Sequence, residues 1–326
     1  PSTEKLINKG ISQRVIQKLV ANLIENSVEA FKETLPQYLL DHYKFISKAK
    51  ALKEVHYPVS QKNLSRAQSR LKFEEFFYMQ FQLILKNIQR KNKIKGFIFS
   101  KVGNTFNDFY KKKLPFSLTL AQKRVIKEIR NDLGSGRQMN RLLQGDVGSG
   151  KTIVALLIML IAIDNNFQAS LVAPTEILAS QHYQSLLELL RNTSVKIELL
   201  TGSTRLKDRK VIHEALQNGE LNILIGTHAL FEEKVQFKNL GIAIIDEQHR
   251  FGVAQRSKLW EKNKTPPHVL VMTATPIPRT LAMSIYGDLD VSVIDNLPPG
   301  RKPVKTLHCN DSNRLRVFDF IKKQIK

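Results

Sequence analysis

The feature that most constrains this chain is a glycine-rich segment at residues 145–152. Its residues are Gly145, Asp146, Val147, Gly148, Ser149, Gly150, Lys151 and Thr152. This order matches the G-x-x-x-x-G-K-T phosphate loop. An apolar run precedes the segment, and a helical run at residues 153–163 follows it. The glycines allow backbone turns that other residues avoid, so that successive N–H groups converge at the positive end of the next helix. The segment therefore predicts a loop that binds a nucleoside triphosphate, with a simple glycine-rich helix cap as the weaker alternative.

Two further groups of side chains suit the chemistry of a triphosphate. Lys151 can reach the β- and γ-phosphates as a point charge, and the Thr152 hydroxyl can ligate the Mg²⁺ that bridges them. Further along the chain, the apolar run 242–245 ends in two adjacent carboxylates, Asp246 and Glu247. Asp246 can hold Mg²⁺ through water beside Thr152, while Glu247 can orient and deprotonate the water that attacks the γ-phosphate. A surface acid pair is the weaker alternative, because a buried strand precedes both carboxylates.

From residue 118 onward, short apolar runs alternate with helical runs. The predicted strands cover residues 141–144, 169–173, 196–200, 222–225, 242–246 and 268–273, and the predicted helices cover residues 153–163, 176–191, 208–217 and 253–261. This alternation predicts an α/β fold with a RecA-like parallel sheet covered by helices on both faces. Ligands of such sheets bind beyond the carboxyl ends of the strands, and the phosphate loop and the acid pair both lie at predicted strand ends.

Residues 1–115 instead predict a mostly α-helical segment. Ser12 can cap a first helix, Pro36 can start a second, and Ser60 can open a long helix that runs to Asn92. An aromatic cluster on the long helix consists of Phe73, Phe76, Phe77, Tyr78 and Phe81. Its helical spacing favours packing between helices, and base stacking stays the alternative.

The charge balance gives the strongest compositional indication of a partner. The net charge is +22, from 51 basic and 29 acidic residues, which favours a polyanion such as nucleic acid. A compositional drift toward lysine is the alternative explanation. The single cysteine, Cys309, can form no internal disulfide. Neither a run of eighteen apolar residues nor a secretory signal is visible, so we expect a cytoplasmic protein with no membrane segment.

A weaker nucleotide signal lies upstream of the phosphate loop, where Phe116, Thr119 and Gln122 surround the start of a helical run at residues 121–129. A glutamine at a helix start can hydrogen-bond both edges of adenine, and a nearby aromatic ring can stack on the base. Thr-x-x-Gln is also a common helix cap, and both interpretations stay open. Three other residues show no evident role beyond packing, namely His182, Trp260 and Met272.

Taken in order, these motifs resemble those of the first motor lobe of superfamily 2 helicases. The matching segments are residues 116–122, 145–152, 173–176, 201–203, 226–228, 246–252 and 273–279. Within that superfamily, residues 246–252, 287–295 and 297–301 resemble the RecG family of branch-migration helicases more than the transcription-repair coupling factor or the primosomal helicase. Residues 27–115 also resemble the helical segment of the RecG family, so the likeness covers nearly the whole chain.

The resemblance implies ATP and Mg²⁺ as cofactors and assigns roles residue by residue. Catalytic roles fall on Lys151, Asp246, Glu247 and His249. Nucleotide binding falls on Phe116, Gln122 and residues 145–152, and metal binding falls on Thr152 and Asp246. DNA contacts fall on Pro174, Thr175, Gln181, Thr201, Gly202, Thr227 and His228. Coupling between hydrolysis and movement falls on Gln248, Thr273, Ala274 and Thr275.

The resemblance also implies an ATP-dependent DNA helicase that remodels stalled forks and Holliday-type junctions in recombination and repair. The implied domains are a helical linker at residues 1–115, an ATP-binding lobe at residues 116–300, and the start of a connection to a second lobe at residues 301–326. We expect this sequence to lack the N-terminal wedge domain and the second motor lobe of that family. We therefore expect branched or double-stranded DNA and a second lobe as partners, with slow ATP hydrolysis and no unwinding by this chain alone.

Two alternatives to a working helicase stay open at this point. One is a remnant that binds nucleotide and DNA without turnover. The other is a nucleotide hydrolase unrelated to nucleic acid. The turns at Pro174-Thr175 and Thr201-Gly202 disfavour the second alternative, because their positions at strand ends suit contacts to a DNA backbone.

Overall fold

The computed structural model describes residues 12–27, 31–247, 265–275, 289–296 and 306–325. The chain divides into two compact units, one of residues 1–95 with 277–291 and one of residues 96–276 with 292–326. We call them the helical unit and the sheet unit. Residues 96–115 are grouped with the sheet unit, and the domain limits expected at residues 115 and 300 stay predictions.

The helical unit contains four described helices, and serine side chains cap the first turns of three of them. Its described helices are α1 (Gln13–Ser27), α2 (Gln37–Tyr43), α3 (Lys48–His56) and α4 (Gln61–Lys93). The long helix predicted after Ser60 is confirmed, and the Ser60 hydroxyl accepts a hydrogen bond from the Asn63 N–H over 3.2 Å. Helix α3 is not among the predicted elements. Ser47 caps it by accepting a hydrogen bond from the Lys50 N–H over 3.4 Å.

The aromatic cluster on α4 forms a ladder at helical spacing. The rings of Phe73 and Phe77 stack with their centroids 6.0 Å apart, and those of Phe77 and Phe81 stack at 6.2 Å. Phe73 also meets the rings of Tyr43 and Phe45, each at 4.9 Å. The ring of Tyr43, the last residue of α2, and the ring of Phe45 just after it thus pack against α4, as expected for aromatic packing between helices.

The sheet unit alternates helices and strands. Its elements are α5 (Asn104–Asp108) with a π-helical continuation (Phe109–Lys113), α6 (Leu120–Leu133), β1 (Asn140–Gly145), α7 (Lys151–Asp164), β2 (Gln168–Val172), α8 (Glu176–Leu189), β3 (Ile197–Leu200), α9 (Leu206–Asn218), β4 (Ile223–Gly226), a 3₁₀ turn (His228–Phe231), β5 (Leu240–Asp246) and β6 (His268–Thr273). Strand β7 (Asp290–Ile294) and helix α10 (Arg314–Ile325) follow. Every predicted strand is present, β7 is an addition, and the predicted helix at residues 253–261 lies outside the described residues.

The strands form one seven-stranded sheet in the order β3-β4-β2-β5-β6-β1-β7. The neighbouring pairs from β3 across to β1 are all parallel. Val172 of β2 lies opposite Ile245 of β5, and Asp246 lies opposite Met272 of β6. Because parallel strands end at the same edge, the phosphate loop after β1 and the acid pair after β5 share one edge of the sheet, which confirms the predicted α/β architecture.

Helix α7, which follows the phosphate loop, is buried. All of residues 153–162 are buried, which agrees with a helix that is apolar on every side and enclosed by a core. The loop before α7 therefore starts from a fixed strand and ends on a fixed helix. Among the described residues, no helix has both the length and the apolar character needed to cross a membrane.

Candidate nucleotide and metal site

The phosphate loop connects the end of β1 to the start of α7. Gly148 and Gly150 have φ angles of 74° and 87°, in the left-handed region that favours glycine. The Lys151 ammonium donates hydrogen bonds to the carbonyl oxygens of Gly145, over 2.7 Å, and Asp146, over 3.0 Å. The lysine thus folds back over its own loop, at the place where the sequence predicts that it meets phosphate.

Gln122 supports this loop from the start of α6. Its Oε1 accepts a hydrogen bond from the Thr119 N–H over 2.9 Å, while the Thr119 hydroxyl accepts one from the Gln122 N–H over 3.2 Å. Its Nε2 donates to the Ser149 carbonyl oxygen over 2.9 Å. A Cβ at Gly150 would collide with that Nε2, and the φ of 87° would strain any other residue at this position. The helix-cap interpretation is therefore confirmed, and the adenine contact of Gln122 stays a prediction.

A cavity of about 850 Å³ opens beside the loop. Its lining includes Phe116, Gln122, Gly148, Gly150, Thr152 and Gln181, and His182, Ser185, Leu186 and Leu189 come from the facing helix α8. This volume lies in the usual range for sites of small ligands and cofactors. Phe116 is half exposed and offers a ring to a base. Gln181, predicted as a DNA contact, lines this cavity from α8, and its contact with DNA stays a prediction.

The acid pair lies where β5 ends. Asp246 is 9% exposed and is the last residue of the strand. Glu247 has a φ of 51°, which is uncommon for a residue other than glycine and is often found at functional sites. Its N–H donates to the Met272 carbonyl oxygen of β6 over 3.0 Å, so the turn that aims the Glu247 carboxylate is tied to the sheet.

His182 is the site residue that the sequence does not reveal. Its Nε2 lies 2.8 Å from Oδ2 of Asp246, and the residue also lines the cavity beside Thr152. The expectation that His182 serves only in packing is therefore wrong. The sequence holds one weak indication that His182 faces inward. By helical spacing, His182 lies on the face of α8 that carries the buried residues Ala179 and Leu186.

The residues at this edge fit a hydrated Mg²⁺. Mg²⁺ prefers oxygen ligands and usually keeps several waters, with one or two carboxylates and the phosphates of a substrate completing its coordination. The Thr152 hydroxyl and the Asp246 carboxylate are donors of this kind. Thr152 lines the cavity, and Asp246 is hydrogen-bonded to another residue of its lining.

Two of the turns predicted to contact DNA are held by side chains. The Thr175 hydroxyl accepts a hydrogen bond from the Leu178 N–H over 3.3 Å, so it caps α8 directly after Pro174. Arg209 of α9 donates from Nη2 to the carbonyl oxygens of Thr201, over 2.7 Å, and Gly202, over 3.2 Å. These bonds fix the backbone of both turns.

The other predicted contacts differ in exposure. Thr227 is 1% exposed, so its hydroxyl does not face solvent, whereas its neighbour His228 is exposed. Of this pair, His228 therefore presents the side chain that a DNA strand can reach. The Thr273 and Thr275 hydroxyls lie 2.8 Å apart, and Ala274 lines a second cavity together with Gly145 and Asp146 of the phosphate loop. The predicted roles of Gln248 and His249 fall outside the described residues.

Comparison with known proteins identifies relatives of this site. Residues 119–284 match the DEAD/DEAH box helicase family. The chain is 46% identical over 293 residues to the ATP-dependent DNA helicase RecG of Synechocystis sp., which covers 90% of this chain and 35% of that protein. The protein of the same name from Aquifex aeolicus is 48% identical over 306 residues, which covers 91% of this chain and 38% of that protein.

The structural comparison agrees with the sequence comparison. A solved structure of RecG bound to a three-way DNA junction matches with a TM-score of 0.77 at 40% identity, covering 97% of this chain and 42% of that chain. The chain thus spans well under half the length of the relatives that it matches. Its similarity to them includes the helical unit as well as the sheet unit, because the match covers nearly the whole chain.

Proposed function

The chain belongs to the DEAD/DEAH box helicase family, and we propose that it forms the ATP-binding first motor lobe, with an adjoining helical segment, of a RecG-type ATP-dependent DNA helicase. Membership of this family implies the use of ATP. The proposed activity of the whole enzyme is the remodelling of branched DNA in recombination and repair.

One observation carries the proposal. The phosphate loop and the histidine that holds Asp246 line the same cavity, although they come from different parts of the chain. An incidental glycine-rich turn would have no reason to lie beside the carboxylate that ends β5. This shared cavity supports the assignment of the nucleotide and of the carboxylates Asp246 and Glu247 to one site.

The residues of the site divide the work of phosphoryl transfer. Lys151 exchanges its two carbonyl partners for the β- and γ-phosphates when nucleotide enters. Thr152 and Asp246 would hold Mg²⁺, which when bound neutralises charge on the phosphate oxygens. Glu247, held in its unusual backbone conformation, orients water and accepts its proton.

The DNA part of the proposal rests on charge and on the strand-end turns. A net charge of +22 favours a polyanion, and the turns at Thr175 and Thr201-Gly202 present backbone groups at the same edge of the sheet as the nucleotide cavity. Such contacts would fall on phosphates and carry little base specificity. The branched structure of the preferred DNA is inferred from the relatives.

Calorimetry with a non-hydrolysable ATP analogue and Mg²⁺ tests the nucleotide site. We expect Lys151→Ala to abolish most of the affinity, because the ammonium is the charge directed at the phosphates. Lys207→Ala, an exposed lysine on α9, is the matched control and should bind as the wild type does. Unchanged binding by Lys151→Ala would overturn the assignment of the phosphate loop.

A second measurement tests the DNA class. We expect the protein to bind a three-way junction more tightly than a linear duplex of equal length, and the affinity to fall by about 0.9 log units per log unit of salt for each phosphate contact. Equal affinity for both DNAs would refute the preference for branched DNA. An affinity independent of salt would refute the phosphate contacts.

A further inference from the structure

We propose that His182 is a positioning residue that fixes the Asp246 carboxylate for Mg²⁺ and thereby sets how strongly Mg²⁺ supports nucleotide binding. The inference deepens the proposed function, on which it rests, by adding a residue outside the phosphate loop and the acid pair. It concerns how firmly the metal-binding carboxylate is held in one orientation. His182 is assigned no contact with the reacting atoms.

The contact itself has the geometry of a strong hydrogen bond. The imidazole Nε2 lies 2.8 Å from Oδ2 of Asp246, and the two side chains are only 14% and 12% exposed. An ionised carboxylate can only accept hydrogen bonds, so Nε2 carries the proton and donates it. Bonds of this kind to a charged acceptor are stronger than neutral ones, and here water has little access to compete.

Both ends of the bond are anchored in rigid elements. His182 lies on α8, whose first turn is capped by Thr175 and whose residues Ala179 and Leu186 are fully buried. Asp246 ends β5, where it lies in register with Met272 of β6. The bond therefore joins a helix packed on the sheet to a strand within it, and it restricts the carboxylate more than a bond from a mobile loop would.

This restriction matters because an aspartate carboxylate otherwise rotates freely. The terminal torsion of Asp has a broad distribution, so an unsupported carboxylate spends much of its time turned away from a bound cation. Loss of a residue that hydrogen-bonds to a metal ligand and orients it typically lowers metal affinity by about 10- to 100-fold. The same range is expected for the loss of the His182 donor.

The test is calorimetry of the full chain with a non-hydrolysable ATP analogue, first with Mg²⁺ and then with EDTA. His182→Ala removes the donor. His182→Asn also removes it, because its shorter amide stops at about the place of Nδ1, and it keeps the measurement possible if the alanine variant does not fold. His182→Gln restores a donor near the place of Nε2. Gln184→Ala, an exposed residue of the same helix, is the control.

We expect His182→Ala and His182→Asn to lower the affinity by about 10- to 100-fold with Mg²⁺ and to leave it unchanged with EDTA. His182→Gln should recover most of the loss, and Gln184→Ala should match the wild type. Wild-type affinity of the donor-free variants with Mg²⁺ would overturn the inference. An equal loss with and without Mg²⁺ would overturn it too, because it would mean that His182 only shapes the cavity.

The two proposals fail in distinguishable ways. If the wild type bound no nucleotide under either condition, the proposed function would fail and the inference would fail with it. If the wild type bound and Lys151→Ala did not, while the His182 variants kept full Mg²⁺ dependence, the proposed function would stand and the role of His182 alone would be refuted.

Discussion

The backbone N–H of Met139 donates a hydrogen bond to Nδ1 of His268 over 3.0 Å, at the point where β1 and β6 begin. Because Nδ1 accepts, the proton of the neutral ring lies on Nε2, which is 2.9 Å from the Phe97 carbonyl oxygen and donates to it. His268 is fully buried, and burial lowers its pKa from 6.5 to about 4, although the bond to Phe97 acts in the opposite direction. The neutral imidazole thus joins two strands and the segment that precedes α5.

This arrangement predicts a loss of stability in mild acid. The histidine of the unfolded chain takes up a proton as the pH falls below 6.5, whereas the folded protein resists protonation down to about pH 4. The unfolded state therefore binds more protons in that window, and the free energy of unfolding falls as the pH falls, by about 3 kcal/mol in total. Urea denaturation of the sheet unit at a series of pH values between 7 and 4 measures the change.

His268→Asn isolates the contribution of this residue, because asparagine does not titrate. The variant should be less stable than the wild type at pH 7, and the difference should shrink as the pH approaches 4. His56→Asn, which replaces an exposed histidine by the same residue, is the matched control for the substitution itself. A constant difference between His268→Asn and the wild type across the window would contradict the prediction.

In the helical unit, we expect Arg70 to be the most sensitive charged residue. Its side chain is 0% exposed, and its guanidinium pairs with Glu33 over 2.5 Å and with Glu74 over 2.7 Å. Removing one partner of a buried ion pair leaves the other charge uncompensated, so Arg70→Met should destabilise the unit by about 3 kcal/mol. Arg66→Met, at an exposed position of the same helix, should change the midpoint of thermal unfolding little. Equal midpoints for both variants would show that the pair is dispensable.

Asp164 should hold the start of α5 in place. Its carboxylate, at the end of α7, accepts hydrogen bonds from the N–H groups of Gly103, Thr105 and Phe106 over 2.9, 2.9 and 3.0 Å. Asp164→Ala would leave these donors without the carboxylate and should lower the free energy of unfolding by about 2 kcal/mol. The stability of Asp164→Asn should lie between that of the alanine variant and that of the wild type. Hydrogen exchange should accelerate at these three amides. Exchange rates like those of the wild type would mean that other contacts hold the segment.

The contrast between the phosphate loop and His182 shows what the sequence can predict. The loop is local: its glycines, lysine and threonine are consecutive, so their spacing alone fixes the turn and the helix after it. The bond between His182 and Asp246 joins residues 64 positions apart, and it forms only because α8, which packs on β3 and β4, brings His182 to the end of β5. The helical phase of α8 indicates only that His182 faces inward and does not indicate which residue it meets. Strand β7 is not predicted from the sequence for a related reason. Its five residues lie at the edge of the sheet with a neighbouring strand on one side, so they form no continuous buried apolar run.

The last prediction concerns Arg209 and the Thr201-Gly202 turn. Arg209 donates from Nη2 to both carbonyl oxygens of the turn and from Nε to the Thr204 carbonyl oxygen over 3.1 Å. The planar guanidinium therefore holds three carbonyl groups from two nitrogens, an arrangement that the single ammonium of lysine does not reproduce. If this turn binds DNA phosphates, Arg209→Lys and Arg209→Ala should both weaken binding to a three-way junction by about 10-fold. This change corresponds to about 1.4 kcal/mol of binding free energy. Lys210→Ala, which removes an exposed neighbouring charge, should weaken it much less. Binding of the ATP analogue should stay unchanged in all three. Equal effects of Arg209→Ala and Lys210→Ala, with full binding by Arg209→Lys, would show that only the charge matters and that the shape of the turn does not.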